Sequence, residues 1–247
     1  MKVQFKDVNF SYDPEKELIR DLNFTANIGD TIAIVGQTGA GKTTLVNLLM
    51  RFYEVDSGEI LVNDKNIREY NRKELRALFG MVLQDTWLFS GSIAENIAYG
   101  KPTATREEIE QVAKEAHVHH FITTLEHGYD TQINEESSNI SQGEKQLITI
   151  ARALLTNPKI LILDEATSSV DTRTEARIQT AMAHMLEGRT AFIIAHRLTT
   201  IKNATTILVM SNGIVAESGT HTELLSQNGI YATMYNSQFN IKEQKTV

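Results

Sequence analysis

No cysteine occurs among the 247 residues. That excludes a disulfide scaffold, a cysteine nucleophile and a cysteine-ligated metal, and it fits a reducing compartment such as the cytosol. Long apolar runs are missing too. The longest, Lys159–Leu163 with its neighbours and Ala191–Ala195, fall far short of the ~18 residues that span a bilayer. Residues 1–13 alternate polar and apolar instead of forming the apolar block of a signal peptide. The sequence therefore reads as a soluble chain that works at a membrane only by docking onto something else, with no direct lipid contact expected. Positive charge is also in deficit: 24 Lys and Arg face 31 Asp and Glu, for a net charge of −7. A basic footprint is absent at the level of the whole chain, and no nucleic-acid partner is expected. What is present is ordinary for a globular protein, with 41% hydrophobic and 22% charged residues, enough to bury a sizeable core. The length suits one large domain or two small ones at ~100–200 residues each.

Val3, Phe5, Val8 and Phe10 alternate as in a strand apart from one slip, which predicts a bulge or bend. A second strand is expected over 22–26, after a turn at Asp13-Pro14. Thr31–Val35 is a short β-rich run that ends in glycines. Beyond them Leu45, Leu48, Leu49 and Phe52 repeat at helical spacing, so the order is strand, glycine-rich loop, helix. From about 85 to 157 the pattern is mostly helical, clearest at 106–116 and 143–155. Strand signals return at 160–163, 192–195 and 207–210, separated by helical stretches at 172–186 and 198–201. Alternation of this kind predicts a mostly parallel sheet. The expected organisation is an α/β core formed by 1–84 and 158–240, with antiparallel strands near its start. A helical subdomain is inserted over 85–157, and 241–247 form a polar tail.

Gly36-Gln37-Thr38-Gly39-Ala40-Gly41-Lys42-Thr43 matches G-x-x-x-x-G-K-[ST] in full, after a strand and before a helix. Glycines let the backbone curl so that successive N–H groups point at phosphate oxygens, and the helix start adds positive potential. Lys42 brings a point charge for the β- and γ-phosphates and Thr43 a hydroxyl for Mg²⁺. Ile160-Leu161-Ile162-Leu163-Asp164-Glu165 is a buried-strand pattern that stops in carboxylates, at the sheet edge where ligands of such folds bind. Asp164 is placed to hold Mg²⁺ through its water shell, which leaves Glu165 to polarise the attacking water.

With these segments in hand, the chain resembles the nucleotide-binding domain of an ATP-binding cassette transporter of the exporter type, over almost its whole length. The implied fold is a P-loop NTPase (RecA-like) parallel-sheet core with an antiparallel β-subdomain and an inserted helical subdomain. Several motifs follow in the family's order. Tyr12 resembles the aromatic that stacks on adenine. Gly36, Gln37, Thr38, Gly39, Ala40, Gly41, Lys42, Thr43 and Thr44 form the phosphate loop. Gln84 resembles the glutamine that reaches Mg²⁺ and the water and senses the membrane domains. Ile140-Ser141-Gln142-Gly143-Glu144 corresponds to the signature motif, and Ser168-Ser169-Val170-Asp171 to the loop that communicates across the dimer. His196 resembles the switch histidine on the γ-phosphate, and Gly91–Ile97 reads like exporters rather than importers. The resemblance implies an ATPase that uses ATP and Mg²⁺. Thr43, Gln84 and Asp164 serve the metal, while Glu165, His196, Gln84 and Lys42 serve the reaction. The implied partners are a second such domain, in a homodimer or a heterodimer, and transmembrane domains normally in the same chain. The implied place is the cytoplasmic face of a membrane.

The signature departs from the common Leu-Ser-Gly-Gly-Gln at Ile140, Gln142 and Glu144, while Ser141 and Gly143 remain. Ser141-x-x-Glu144 before an apolar run is also a capping box, which predicts a helix start. Glu135 and Glu136 are either loop acids or, by the resemblance, contacts for intracellular helices. His117 and His120, expected on one helix face, read as solvated residues and not as a metal site. The alternatives are a soluble ATPase of the same class acting in DNA repair or translation, and a regulatory nucleotide-binding module. The first carries a long coiled coil or a second cassette, and the second does not need Glu165 and His196 together.

Overall fold

The computed structural model describes residues 1–16, 18–83, 86–134, 139–164, 170–195 and 198–237. In chain order its elements begin with β1 (Val3–Phe10), β2 (Ile19–Ala26), β3 (Thr31–Gly36), α1 (Lys42–Leu49), β4 (Ser57–Val62), β5 (Lys65–Asn66) and α2 (Arg72–Ala77). There follow β6 (Phe79–Val82), β7 (Gly91–Ser92), α3 (Ile93–Ala98), α4 (Arg106–Glu115), α5 (His119–Thr124), β8 (Gln132–Ile133), α6 (Gln142–Leu155), β9 (Ile160–Asp164) and α7 (Thr172–Leu186). The chain ends with β10 (Thr190–Ile194), α8 (Leu198–Asn203), β11 (Thr206–Ser211), β12 (Ile214–Gly219), α9 (His221–Ser226) and α10 (Ile230–Tyr235). Two compact units result: Met1–Phe79 with Gly188–Val247, and Gly80–Glu187.

The first unit contains two kinds of sheet. β1 lies between β2 and β4, antiparallel to both. The slip in its alternation is a real irregularity: the register shifts between Phe5 and Val8 and again between Val8 and Phe10, with Asp7 at φ +49°. An extra residue lets Phe5, Val8 and Phe10 all stay buried. The second sheet has β3 at its centre, parallel to β10 on one side and to β11 on the other, with β12 antiparallel at the edge. Ile32, Ala33 and Ile34 are fully buried, as expected for a parallel strand covered on both faces, where apolar residues run on without alternation.

The second unit is organised around α6. Its apolar side, including Leu147, Ile148, Ile150 and Ala151, is fully buried, and α3, α4 and α7 pack along it. A short antiparallel pair, β7 with β8, closes one side, and β9 lies beside β6. Ile160, Leu161 and Leu163 of β9 are fully buried, and the strand ends at a partly buried Asp164.

Candidate functional site

In the first unit β3 runs out at Gly36 and α1 starts at Lys42, with the phosphate-loop motif between them. Gly36, Gly39 and Gly41 have φ of +149°, +81° and +100°, conformations that side chains resist. The reasons differ at two of them. A Cβ on Gly36 would stand 2.3 Å from the Met210 carbonyl oxygen on β11, whereas one on Gly39 would meet nothing within 4 Å. Gly36 is therefore required by close packing as well as by its backbone angle, and Gly39 by its angle alone.

Gly41 is the N-cap of α1 and supplies no side-chain cap, so the first N–H groups of the helix remain directed outward. This is the geometry that receives anions. The Lys42 ammonium donates to the carbonyls of Gly36 (2.8 Å) and Gln37 (2.9 Å), which holds the side chain over the loop. Ala40 N–H donates to the Gln37 carbonyl and tightens the turn. Gln37, Thr38, Gly39 and Thr43 are exposed, while Thr44 is buried beneath. Tyr12 is half exposed and its hydroxyl bonds to Thr44 Oγ1 (3.4 Å) and accepts from Asn47 (3.4 Å). Its ring stands edge-on to Phe10 at 4.8 Å and to Tyr53 at 4.9 Å. Tyr12 is thus held beside the start of α1 with an aromatic surface open to solvent. On another flank of the loop a cavity of about 770 Å³ is lined by Gly36–Ala40, the turn after β11 and α10.

The second unit holds the signature segment. Ser141 is the N-cap of α6, and the capping box read from the sequence is formed in full. Glu144 N–H donates to Ser141 Oγ (3.3 Å), while Ser141 N–H and Oγ donate to Glu144 Oε2 at 3.1 and 2.6 Å. The Glu144 carboxylate is therefore turned back onto the cap. Gln142 is exposed and donates to Thr86 Oγ1 (2.9 Å). Gly143 is buried; a Cβ there would fall 2.4 Å from Thr174 Cγ2 and 2.9 Å from Val170 Cγ1. The start of α6 thus rests directly on the start of α7, and a side chain at 143 would force them apart. Asp171 caps α7, accepting from Arg173 N–H and Thr174 N–H, both at 3.0 Å. Those backbone donors, Thr174 first, hold its carboxyl below the usual carboxylate range. Asp171, Ser141 and Gly143 are thereby brought together through the α6–α7 contact.

Gln84, Glu165 and His196 lie outside the described residues, as do Glu135, Glu136, Ser168 and Ser169. His117 and His120 do not share a helix face: His117 sits in the turn after α4 with φ +56°, and α5 begins at His119. His119 itself bonds to the Tyr129 hydroxyl at 2.8 Å. Among the described residues no three His, Asp or Glu gather as a metal site, and no helix is long and apolar enough to cross a membrane.

One feature of the second unit has no counterpart in the sequence reading. Trp87 and Tyr99, both more than half exposed, pack with Phe89 as an aromatic surface patch. Arg152 of α6 holds the segment beneath it, donating to the Trp87 carbonyl (3.0 Å), the Asn96 carbonyl (2.8 Å) and Asn96 Oδ1 (3.0 Å). Fully buried Asn96 in turn binds both the N–H and the carbonyl of Phe89. The signal available in the sequence was the pair of aromatics, Phe89 and Tyr99, close to the lone Trp87.

The ABC transporter family matches residues 19–168. The chain is 58% identical, over 233 residues, to a fatty acid ABC transporter ATP-binding/permease protein of Mycobacterium tuberculosis, covering 94% of this chain and 37% of the relative. It is 47% identical over 228 residues to the heavy metal tolerance protein of Schizosaccharomyces pombe, covering 92% of this chain and 28% of that protein. Among solved structures, a bacterial Atm1-family ABC exporter with ATP bound superimposes with a TM-score of 0.89 at 44% identity. That alignment covers 96% of this chain and 42% of that one. The chain spans less than half the length of each of these proteins.

Proposed function

Since this chain belongs to the ABC transporter family, we propose that it is the ATP-binding and ATP-hydrolysing domain of an exporter. ATP binding pairs it with a second such domain, and hydrolysis releases the pair. The observation that carries the reading is the loop from Gly36 to Thr43, with its left-handed glycines, its folded-back Lys42 and a helix start free of any side-chain cap. In this reading the loop N–H groups and Lys42 hold the phosphates, and Tyr12 offers its open ring face to the base. Thr43 would bring a hydroxyl oxygen, Asp164 a carboxylate oxygen and Gln84 an amide oxygen, donor types that suit a hard cation such as Mg²⁺. When bound, that ion offsets the charge of the phosphoryl group. Glu165 polarises the attacking water, and His196 steadies the γ-phosphate. Ser141, Gln142, Gly143 and Asp171 serve the nucleotide held by the second domain. The exposed Trp87 and Tyr99 give attached membrane segments an apolar surface to dock on, and in this reading the domain works at the cytoplasmic face.

Two substitutions test the assignment by separating binding from chemistry. Lys42→Ala weakens ATP affinity itself. Glu165→Gln leaves binding intact and lowers single-turnover hydrolysis by ~10²–10⁴-fold, the usual contribution of a positioned base. Light scattering of Glu165→Gln with Mg-ATP then shows a dimer that is absent without nucleotide. Near-normal turnover in Glu165→Gln, or unchanged affinity in Lys42→Ala, overturns the reading.

A further inference from the structure

The second unit holds a groove of about 720 Å³ that the proposed reaction does not use. Its size is that of a small-molecule site. Lys114 reaches it from α4, His117 from the following turn, His120 from α5, Glu144 from α6, and Arg173 and Arg177 from α7. Three helices, α4, α6 and α7, thus bring three permanent cations and one carboxylate to one place, on a chain whose net charge is −7.

The groove's one carboxylate and the acid next to Lys114 both have other partners. Glu144 is turned onto Ser141, and Glu115 pairs with Gln111 and with His184, which also faces Glu187. Among the described residues, no ion pair involves Lys114, Arg173 or Arg177. Arg177 spends one N–H on the His117 carbonyl and keeps the rest of its guanidinium for the groove. Like charges gathered in a cleft with low-dielectric walls focus a positive potential and raise the local concentration of anions. The arginines stand one helical turn apart on α7, so their forks face the same way. Such paired forks match the several oxygens of a phosphate group.

We propose that this groove is a binding site for a small phosphorylated anion of the diphosphate class, separate from the phosphate loop. A polymer is disfavoured because the cations converge on a concave pocket and the remaining surface is acidic. The site also has a route to function. Its walls include the first turns of α7 and Glu144, and Thr174 of α7 is the residue on which Gly143 rests. An anion that ties α7 to α4 and α5 therefore holds the Ser141–Gly143 segment in one position. That regulatory consequence rests on the ATPase reading; the binding itself does not.

The test uses the Lys42→Ala chain, in which the phosphate loop is disabled, and inorganic pyrophosphate as the probe in ~0.15 M salt, where unspecific attraction is screened. Calorimetry is expected to give saturable one-site binding. Adding Arg173→Ser and Lys114→Ser weakens it at least tenfold, and Arg173→Lys retains part of it. Both replaced side chains are exposed and without an ion pair, so thermal melting stays unchanged. If Arg173→Ser nevertheless loosens α7, Lys114→Glu alone carries the test, since reversing that charge must also weaken binding. The absence of saturable binding, or binding indifferent to these substitutions, overturns the proposal. A phosphate loop that is not the nucleotide site shows itself separately, as full ATP affinity in Lys42→Ala.

Discussion

The reciprocal cap on α6 can be taken apart residue by residue. Ser141→Ala removes the acceptor for Glu144 N–H (3.3 Å) and the hydroxyl that reaches Glu144 Oε2 (2.6 Å). Loss of a Ser cap costs ~1 kcal/mol. Glu144→Ala removes the acceptor for Ser141 N–H and Oγ together with a negative charge at a helix start. Exposed hydrogen bonds and the dipole term together place this loss at ~1 kcal/mol as well. Because one shared hydrogen-bond pair is counted in both losses, the double mutant should lose only ~1–1.5 kcal/mol, leaving a coupling of ~0.5–1 kcal/mol. In a chain of this size each kcal/mol lowers Tm by ~2–4 °C. Amide exchange in the first turn of α6 gives the local readout, with protection falling in both single mutants and, in the double, by less than the sum of the two. Losses that simply add, within ~0.3 kcal/mol, refute the reciprocal cap. A first turn as protected in Ser141→Ala as in the parent chain refutes it too.

The phosphate loop offers a contrast between two of its glycines. Gly36→Ala drives a methyl group into the Met210 carbonyl and should cost ~1–3 kcal/mol by overpacking, with nucleotide affinity down about tenfold or more as the loop shifts, since each 1.4 kcal/mol is a factor of ten. Gly39→Ala meets no atom and should cost only its left-handed angle, ~1–2 kcal/mol. Denaturation midpoints and nucleotide titrations rank the pair, and an equal or reversed order contradicts the packing argument. For Asp171, whose carboxyl titrates below the ordinary value, the cap on α7 contributes stability above the unfolded pKa of ~3.9. That contribution is lost as the pH falls through the lowered folded value. Exchange at Arg173 and Thr174 N–H should therefore show a structural opening only in acid below about pH 4 and none between pH 5 and 8; Asp171→Asn should shift that acid transition, and an unchanged profile counts against the cap.

The features legible in the sequence are those whose cause is local. A loop that needs three left-handed residues within six positions can hardly be written without glycine, so Gly36, Gly39 and Gly41 were visible at once. The cap of α6 is a contact between residues three apart, and the bulge in β1 is a slip in a two-residue period. What stayed hidden depends on distant partners. Arg152 meets Asn96 across 56 positions, and neither residue carries a local sign of it. The basic groove is assembled from four helices, so its charges are scattered in the sequence among the acids that outnumber them. The short α2, α9 and α10, of six residues each, are too brief to show a period. His117 carries a helical pattern in the sequence because its neighbours do; the left-handed turn at φ +56° is decided by how α5 leaves α4.

The clasp between Arg152 and the segment under Trp87 makes α6 a stiff connecting rod. Arg152 lies ten residues from Gln142 along one unbroken helix, which is ~15 Å at 1.5 Å per residue. Its guanidinium grips the Asn96 carbonyl and side chain and the Trp87 carbonyl at one end, while Gly143 rests without clearance on Thr174 at the other. A load applied to the aromatic patch is delivered as a push on the far end of the rod. With Gly143 packed this closely there is no slack to absorb it, so the start of α7 must move with it or resist it.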